Sequence, residues 1–134
     1  MTPAVLSAAM RAHARGLYCL EAAAELLIGH STWLDRSDFT TGFVNIGRGP
    51  GDDELAAADW QAAITALDTG QLPCSGSEGR MLRIAASLAD GIPVDLREVL
   101  TGLDTRNAAL VSQAVRHATG HRPDTHPQLQ SVIF

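Results

Sequence analysis

The chain contains no lysine, so all ten of its basic Lys-or-Arg positions are arginines. Without lysine the chain cannot form a Walker-A phosphate loop, a Schiff base with a carbonyl substrate or a lysine general base. The exclusive use of arginine, together with abundant alanine, is typical of a high-GC bacterial genome. We therefore attribute the missing lysine to codon bias.

Cysteine is also scarce, and long apolar runs are absent. Cys19 and Cys74 are far apart and form no C-x-x-C pair, so we predict reduced, half-buried thiols in a reducing cytoplasm. No apolar run reaches the length of a membrane span. Arg11, His13 and Arg15 interrupt the N-terminal apolar run rather than preceding it, which argues against a signal peptide. We expect a cytoplasmic protein with no membrane contact.

Negative charge is concentrated in one part of the chain. The formal net charge is −5, and residues 31–70 carry all of it, because only Arg36 and Arg48 oppose their acids. These acids are Asp35, Asp38, Asp52, Asp53, Glu54, Asp59 and Asp68. Such a surface disfavours broad contact with nucleic acid or an anionic membrane at this segment.

The back half predicts closely spaced helices. Residues 75–90, 95–101 and 105–119 each have a start signal, an apolar stripe of helical period and a stop. Ser75 and Glu78 have the spacing of a capping box, and Asp95 and Asp104 can cap the two later helices. We predict an all-α fold, a compact bundle of five to six helices in a single domain spanning residues 1–134.

The front half predicts a long N-terminal helix that begins at Thr2-Pro3 and ends at Gly29. Its heptad-like stripe consists of Leu6, Met10, His13, Leu17, Leu20, Ala24 and Leu27. Such a helix is either the central pillar of the bundle or half of a dimer interface. We favour the pillar, with a dimer contact at one end.

The middle segment predicts a flexible loop over residues 47–53 and a helix that Asp53 begins and Gly70 ends. A phosphate site at this loop is disfavoured because Asp52, Asp53 and Glu54 repel an anion. The apolar end of the tail 121–134 is expected to pack on the core or a partner subunit. The predicted core is Leu17, Leu20, Leu27, Trp33, Phe39, Phe43, Trp60, Ile64, Met81, Ile84, Leu88, Leu96, Leu100, Leu103, Leu110 or Val111, and Val115.

No catalytic or metal-binding pattern stands out. Glu21 and Glu25 share one helix face, but the Glu-x-x-His pairs of a di-iron bundle are absent, so we predict a solvated face. His117 and His121 are spaced i, i+4, although Gly120 unwinds the turn between them. We expect no catalytic residues, no metal and no cofactor. A site of dispersed residues would need His13 or His30 to meet a glutamate in three dimensions.

The clearest functional lead is segment 95–119, which predicts a short helix, a turn through Gly102 and a longer helix. Gly102-Leu103-Asp104, followed by Ala108 and Val111, resembles the turn and second helix of a helix-turn-helix DNA reader. The resemblance implies a DNA-binding transcriptional regulator. Its groove-facing candidates are Thr105, Arg106, Asn107, Gln113 and Arg116.

Two features of this segment depart from that pattern. Glu98 stands where a small residue normally lets the two helices cross, and residues 94–122 carry only four arginines against three acids. Our leading hypothesis is therefore a non-enzymatic protein-interaction or regulatory module that forms a homodimer through a helical face. The alternatives are the DNA-binding regulator, for which nucleic acid is a less favoured partner, and a metal-binding or enzymatic helical protein with dispersed His and Glu ligands.

Overall fold

The computed structural model describes residues 1–121, and this part of the chain is mostly helical with one two-stranded sheet. The elements are α1 (Pro3–Ala14), α2 (Tyr18–His30), α3 (Ser37–Phe43), β1 (Val44–Arg48), β2 (Glu54–Ala58), α4 (Trp60–Asp68), α5 (Gly76–Asp90), α6 (Leu96–Leu100) and α7 (Thr105–Ala118). The predicted packing of the tail falls on residues 122–134, which lie outside the described part. No described helix has both the length and the apolar character needed to cross a membrane.

Helix α2 occupies the centre of the fold and packs against α5 on one side and α7 on the other. Its run Ala22-Ala23-Ala24, followed by Leu26 and Leu27, is buried. Alanine side chains let neighbouring helix backbones approach closely, so one helix can be covered on several sides. Helix α1 covers α2 and β2, and both α4 and α6 pack on α5.

The predicted long N-terminal helix is wrong, because it is divided into α1 and α2. Gly16 has a φ of +92°, a left-handed conformation that interrupts helical geometry and that glycine adopts without a Cβ clash. Leu17 then takes an extended conformation before α2 begins. The heptad-like stripe therefore changes direction at Gly16, and Leu17 is exposed rather than buried.

The predicted loop and helix over residues 47–67 are also wrong in part, because this segment contributes to a two-stranded sheet. The predicted all-α fold is therefore corrected to a mostly helical one. β1 and β2 pair antiparallel, with Ile46 opposite Ala56. Residues 55–58 are a leucine and three alanines, which favour a helix in isolation. Pairing with β1 and packing under α1 override that preference. The helix starts later, where Asp59 Oδ1 accepts a hydrogen bond from the Ala62 N–H at 3.1 Å.

The turn of this hairpin is ordered by its own backbone. The Asp52 N–H donates to the Gly49 carbonyl at 3.0 Å, and the Gly49 N–H donates to the Asp53 carbonyl at 2.8 Å. Pro50 supplies the fixed φ that suits the second position of a turn. Asp52 has a φ of +64°, which aspartate tolerates better than most residues. This segment is thus a hairpin turn rather than a flexible loop.

The predicted helix caps of the back half are confirmed. Ser75 Oγ accepts from the Glu78 N–H at 3.1 Å, and Glu78 Oε1 accepts from the Ser75 N–H at 2.8 Å. Asp95 caps α6 and Asp104 caps α7 through their side-chain oxygens. Gly91 ends α5 in the left-handed conformation. These are local interactions, which explains why sequence spacing alone locates them.

The predicted core is half right. Leu27, Trp33, Phe39, Trp60, Ile64, Met81, Ile84 and Val111 are buried, and Phe43, Leu88, Leu103 and Leu110 pack partly against them. Leu20 is of intermediate burial. Leu17, Leu96, Leu100 and Val115 are exposed, which contradicts the prediction. On α7 the buried residues are Asn107, Val111 and Ala114, so the inward face is rotated from the stripe that the sequence indicated.

Candidate functional site

The outer edge of β1 is the described surface with the most specific binding chemistry. In an antiparallel pair, successive residues of a strand alternate in where their backbone N–H and C=O groups point. One residue bonds to the partner strand, and the next directs its N–H and C=O away from the partner strand. The Asp59 N–H donates to the Phe43 carbonyl at 2.7 Å, and Gly49 bonds to Asp53 at the other end. These two bonds set the alternation, so Asn45 and Gly47 face β2 with their backbone groups. The N–H and C=O groups of Val44, Ile46 and Arg48, defined here as the β1 edge, point away from β2.

Among the described residues, the β1 edge is exposed at Ile46 and Arg48, whereas Val44 is buried where α3 joins the strand. Within residues 1–121 the sheet has two strands, and α1 packs on β2, the strand on the far side. Helix α3 joins the start of β1 directly and contacts that strand. Unpaired backbone donors and acceptors in a row favour the addition of a further strand. The chemistry of this edge therefore selects an extended peptide segment.

The side chains of the β1 edge are partly apolar. Val44 is buried, whereas Ile46 on the same face of the strand is 53% exposed. Arg48 forms exposed ion pairs with Asp52 at 3.6 Å and Glu54 at 3.8 Å. The strand contains no proline, and Arg48 is its only charged residue. Proline and charge are the usual means by which natural proteins block strand addition, and here they are nearly absent.

The predicted DNA-contacting residues lie on α7, and four of the five share its outer side. Thr105, Arg106, Gln113 and Arg116 are exposed. Asn107 is different because it is buried, and its Nδ2 atom donates to Ser77 Oγ on α5 at 3.0 Å. The structure therefore places Asn107 between helices, away from the other four.

The neighbours of α7 differ from those of a helix-turn-helix. There the second helix packs on the first, whereas α7 packs mainly on α2, and α6 packs on α5. Arg106 donates to the Gly29 carbonyl at the end of α2 at 2.7 Å. This bond occupies part of a guanidinium that would otherwise be available to a base or a phosphate.

Of the two glutamates of α2, Glu25 is exposed, as the predicted solvated face requires, whereas Glu21 is largely covered. Glu21 Oε1 lies 2.8 Å from His117 Nε2, and both side chains are only 17% exposed. Glu21 Oε2 also accepts the Gly16 N–H at 3.0 Å. Glu25 receives two hydrogen bonds from Arg11, at 2.7 and 3.0 Å. The carboxylates thus tie α2 to α7 and to α1, which are structural roles.

The Glu21–His117 pair is the closest approach to a catalytic arrangement. The Tyr18 ring stands edge-on to the His117 ring, with centroids 6.3 Å apart. A cavity of about 120 Å³ beside the pair is lined by Glu25, Leu26, Leu110, Gln113, Ala114 and His117. Neither a cysteine nor a serine is among the described residues that line this cavity, so they offer His117 no hydroxyl or thiol nucleophile to activate.

His30 and Asn107 are the buried polar residues of the described chain. The His30 side chain is 6% exposed, and its Nδ1 atom has no hydrogen-bond partner among residues 1–121. Burial lowers the pKa of His30, and the nearby Arg106 lowers it further, while Glu78 and Asp104 act in the opposite direction. The imidazole is therefore neutral at pH 7.

His13 lines a second cavity, of about 200 Å³, with Met10, Leu20, Trp60 and Asp90 among the other lining residues. It is exposed, and its side chain makes no hydrogen bond to another described residue. The cavity walls are largely alanine and other apolar side chains, so the space has few groups that would orient a polar ligand.

Residues 1–121 contain no group of three or more His, Cys, Asp or Glu side chains that could hold a metal ion. Cys19 and Cys74 are free, and both are exposed rather than half-buried as we predicted. Desolvation by its neighbours and the carboxylate of Glu78 raise the pKa of the Cys74 thiol. A thiol with a raised pKa is protonated at pH 7 and is a poor nucleophile.

The sequence analysis missed the β1 edge, although a signal was present. Val44 and Ile46 are β-branched residues at alternate positions, followed by Pro50-Gly51, a turn-forming pair. The partner strand hid this signal because residues 55–58 have helical preference. No family model, curated protein or solved structure matches the chain. What the protein does must therefore be inferred from its own geometry.

Proposed function

We propose that the protein is a non-enzymatic interaction module that binds an extended peptide segment by adding it as a strand to the β1 edge. The observation that carries this proposal is that the backbone groups of Val44, Ile46 and Arg48 point away from β2 and are not paired with another strand of residues 1–121. It keeps the interaction module of the leading hypothesis but moves the binding surface from a helical face to a strand edge. Backbone hydrogen bonds supply affinity in such complexes, and alternate side chains supply specificity.

The surrounding fold supports this role. The sheet rests on α1 through β2, so the outer strand is held by the helical part of the chain without being covered by it. Asp52, Asp53 and Glu54 lie at the turn end of the sheet and favour a partner with a neutral or basic residue there. Among residues 1–121, no group of His, Cys, Asp or Glu side chains that could hold a metal ion lies at this edge, so the proposal assigns it binding rather than catalysis.

Amide-resolved hydrogen exchange tests the proposal directly. In the free protein, the Val44, Ile46 and Arg48 amides are expected to exchange faster than those of Asn45 and Gly47, which face β2. A millimolar peptide of alternating threonine and valine should slow exchange at the first three amides only. A peptide with proline at every second position is the control and should have no effect. Equal exchange at all five amides in dilute, monomeric protein, or no protection by the first peptide, would contradict strand addition.

DNA binding remains a second candidate because Thr105, Arg106, Gln113 and Arg116 share an exposed side of α7. The test is titration of the protein with mixed-sequence duplex DNA over a salt series. If α7 binds DNA, affinity falls linearly with the logarithm of salt concentration and is lost in an Arg106→Ala, Arg116→Ala double variant. No binding at low salt would retire this candidate.

A metal-binding or enzymatic role is the third hypothesis, and it stays the weakest proposal. Among the described residues its best support is the Glu21–His117 pair. A bound divalent ion would need further ligands beside these two, because a protein site usually supplies at least three. Titration of the protein with Zn²⁺ tests it. Loss of a stoichiometric binding event in a His117→Ala variant would favour the hypothesis, and absence of binding would end it.

A further inference from the structure

The β1 edge has the symmetry of a surface that pairs with itself. Its outward-facing residues are Val44, Ile46 and Arg48, so Ile46 is the middle one and the other two are equally spaced around it. Two antiparallel copies can therefore be related by a two-fold axis at Ile46. In that register Val44 of each copy stands opposite Arg48 of the other, and the two Ile46 residues face each other. Every outward N–H and C=O of both edges then finds a partner.

We infer that the segment bound at the β1 edge is the same strand of a second copy of this chain, which joins the two hairpins into one four-stranded antiparallel sheet. This inference rests on the proposed strand addition and names its partner. It also places the homodimer contact, which the sequence analysis assigned to a helical face, at the hairpin. An interface of this kind is isologous, with the same patch used by both copies.

Charge is compatible with this pairing. Arg48 faces Val44 of the other copy, so no like charges stand directly opposite along the strands. The acidic turn of each copy, with Asp52 and Asp53, extends past the end of the other strand. There it approaches the last residues of α3, which are Thr41, Gly42 and Phe43 and carry no charge. The concentration of acids at residues 31–70 therefore does not prevent the two hairpins from meeting.

The exposed side chain of Ile46 is the apolar part of the contact. It is 53% exposed on the strand face that also carries the buried Val44 and faces Ala56 across the sheet. Beside its symmetry mate, Ile46 gains an aliphatic neighbour across the strand pair, which is a stabilising arrangement. Two strands of five residues bury less surface than the roughly 1,200–2,000 Å² of a stable complex. We therefore expect a weak, concentration-dependent dimer.

Charge complementation at position 46 tests the two-fold register. Sedimentation equilibrium from micromolar to millimolar protein should show a dimer for the wild type and for Ile46→Val, the control that keeps the N–H and the branched side chain. Ile46→Asp and Ile46→Arg should each weaken dimerisation by about fivefold or more, because like charges then face each other. An equal mixture of the two variants should restore association, since opposite charges meet across the axis. Circular dichroism confirms that each variant remains folded.

Hydrogen exchange separates the failure of this inference from the failure of the proposed function. Dimerisation with new protection at the Val44, Ile46 and Arg48 amides supports both. A strict monomer whose three edge amides are still protected by the threonine–valine peptide overturns the second copy but leaves strand addition standing. A dimer without protection at these amides, or without rescue in the mixture, places the contact elsewhere and overturns the inference. A monomer that no peptide protects overturns both.

Discussion

Replacing His30 with leucine is expected to stabilise the protein and to remove part of its pH dependence. The Nδ1 atom of His30 is buried and has no hydrogen-bond partner among residues 1–121, and leaving such a group unsatisfied costs about 1–3 kcal/mol. His30→Leu removes that unpaired atom and keeps an apolar side chain at the end of α2. Since leucine does not reproduce the shape of the imidazole, some packing is lost. We expect a net gain of about 1 kcal/mol at pH 7.

The pH dependence follows from the direction of the His30 pKa shift. Burial holds the pKa of His30 in the folded protein below the value of about 6.5 that it has in an unfolded chain. As pH falls below 6.5, the unfolded state binds the proton first, so stability is present above that pH and is lost below it. The loss is at most about 1.4 kcal/mol per pH unit, and it stops below the folded-state pKa. The advantage of His30→Leu should therefore grow between pH 6.5 and pH 5.

Urea denaturation followed by tryptophan fluorescence at pH 7.5, 6.0 and 5.0 measures both effects, because the core contains Trp33 and Trp60. His121→Asn is the control for loss of a histidine, since His121 is exposed. Parallel stability curves for the wild type and His30→Leu across this range would refute the assigned role of His30. A leucine variant less stable than the wild type at pH 5 would refute it as well.

Three other substitutions probe features that hold the helices in place. Gly16→Ala should destabilise the fold by roughly 1–2 kcal/mol, because alanine is strained at a φ of +92°; an unchanged melting temperature would contradict this. Ser75→Ala should cost about 1 kcal/mol through loss of the cap on the Glu78 N–H, measured by urea denaturation against Ser75→Asp, which retains a capping oxygen. Asn107→Ala should cost about 1–3 kcal/mol because Ser77 loses a buried partner, and a double-mutant cycle with Ser77→Ala should show coupling of the two side chains.

The predictions that succeeded depend on interactions within a few residues of each other. The capping box of Ser75 and Glu78 and the caps at Asp95 and Asp104 are formed by side chains three or fewer positions from the backbone groups that they bind. Sequence spacing therefore contains nearly all the information needed to locate them. The same locality explains why helices α5, α6 and α7 were predicted within a residue or two of their observed bounds.

The predictions that failed concern residues whose secondary structure or burial is decided by packing against elements distant in the sequence. Residues 55–58 favour a helix alone, but β1 offers hydrogen bonds and α1 offers an apolar surface, and both act through contacts distant in sequence. Leu96 and Leu100 match a helical core pattern, yet α6 packs through Val99 and leaves them 63% and 45% exposed. A period predicts that a helix has an apolar side but does not say which neighbour will cover it.

The candidate site depends on the tertiary structure in the same way. A strand has a free edge when one of its two edges is paired with a neighbouring strand and the opposite edge is not. No pattern within residues 44–48 can specify this. The sequence by itself determined the helical character, the capped ends of the back-half helices and the concentration of acid in residues 31–70, because each follows from local bonding or composition. Only the tertiary structure decided the break at Gly16, the pairing of the hairpin and the openness of the β1 edge, because each depends on which distant surfaces meet.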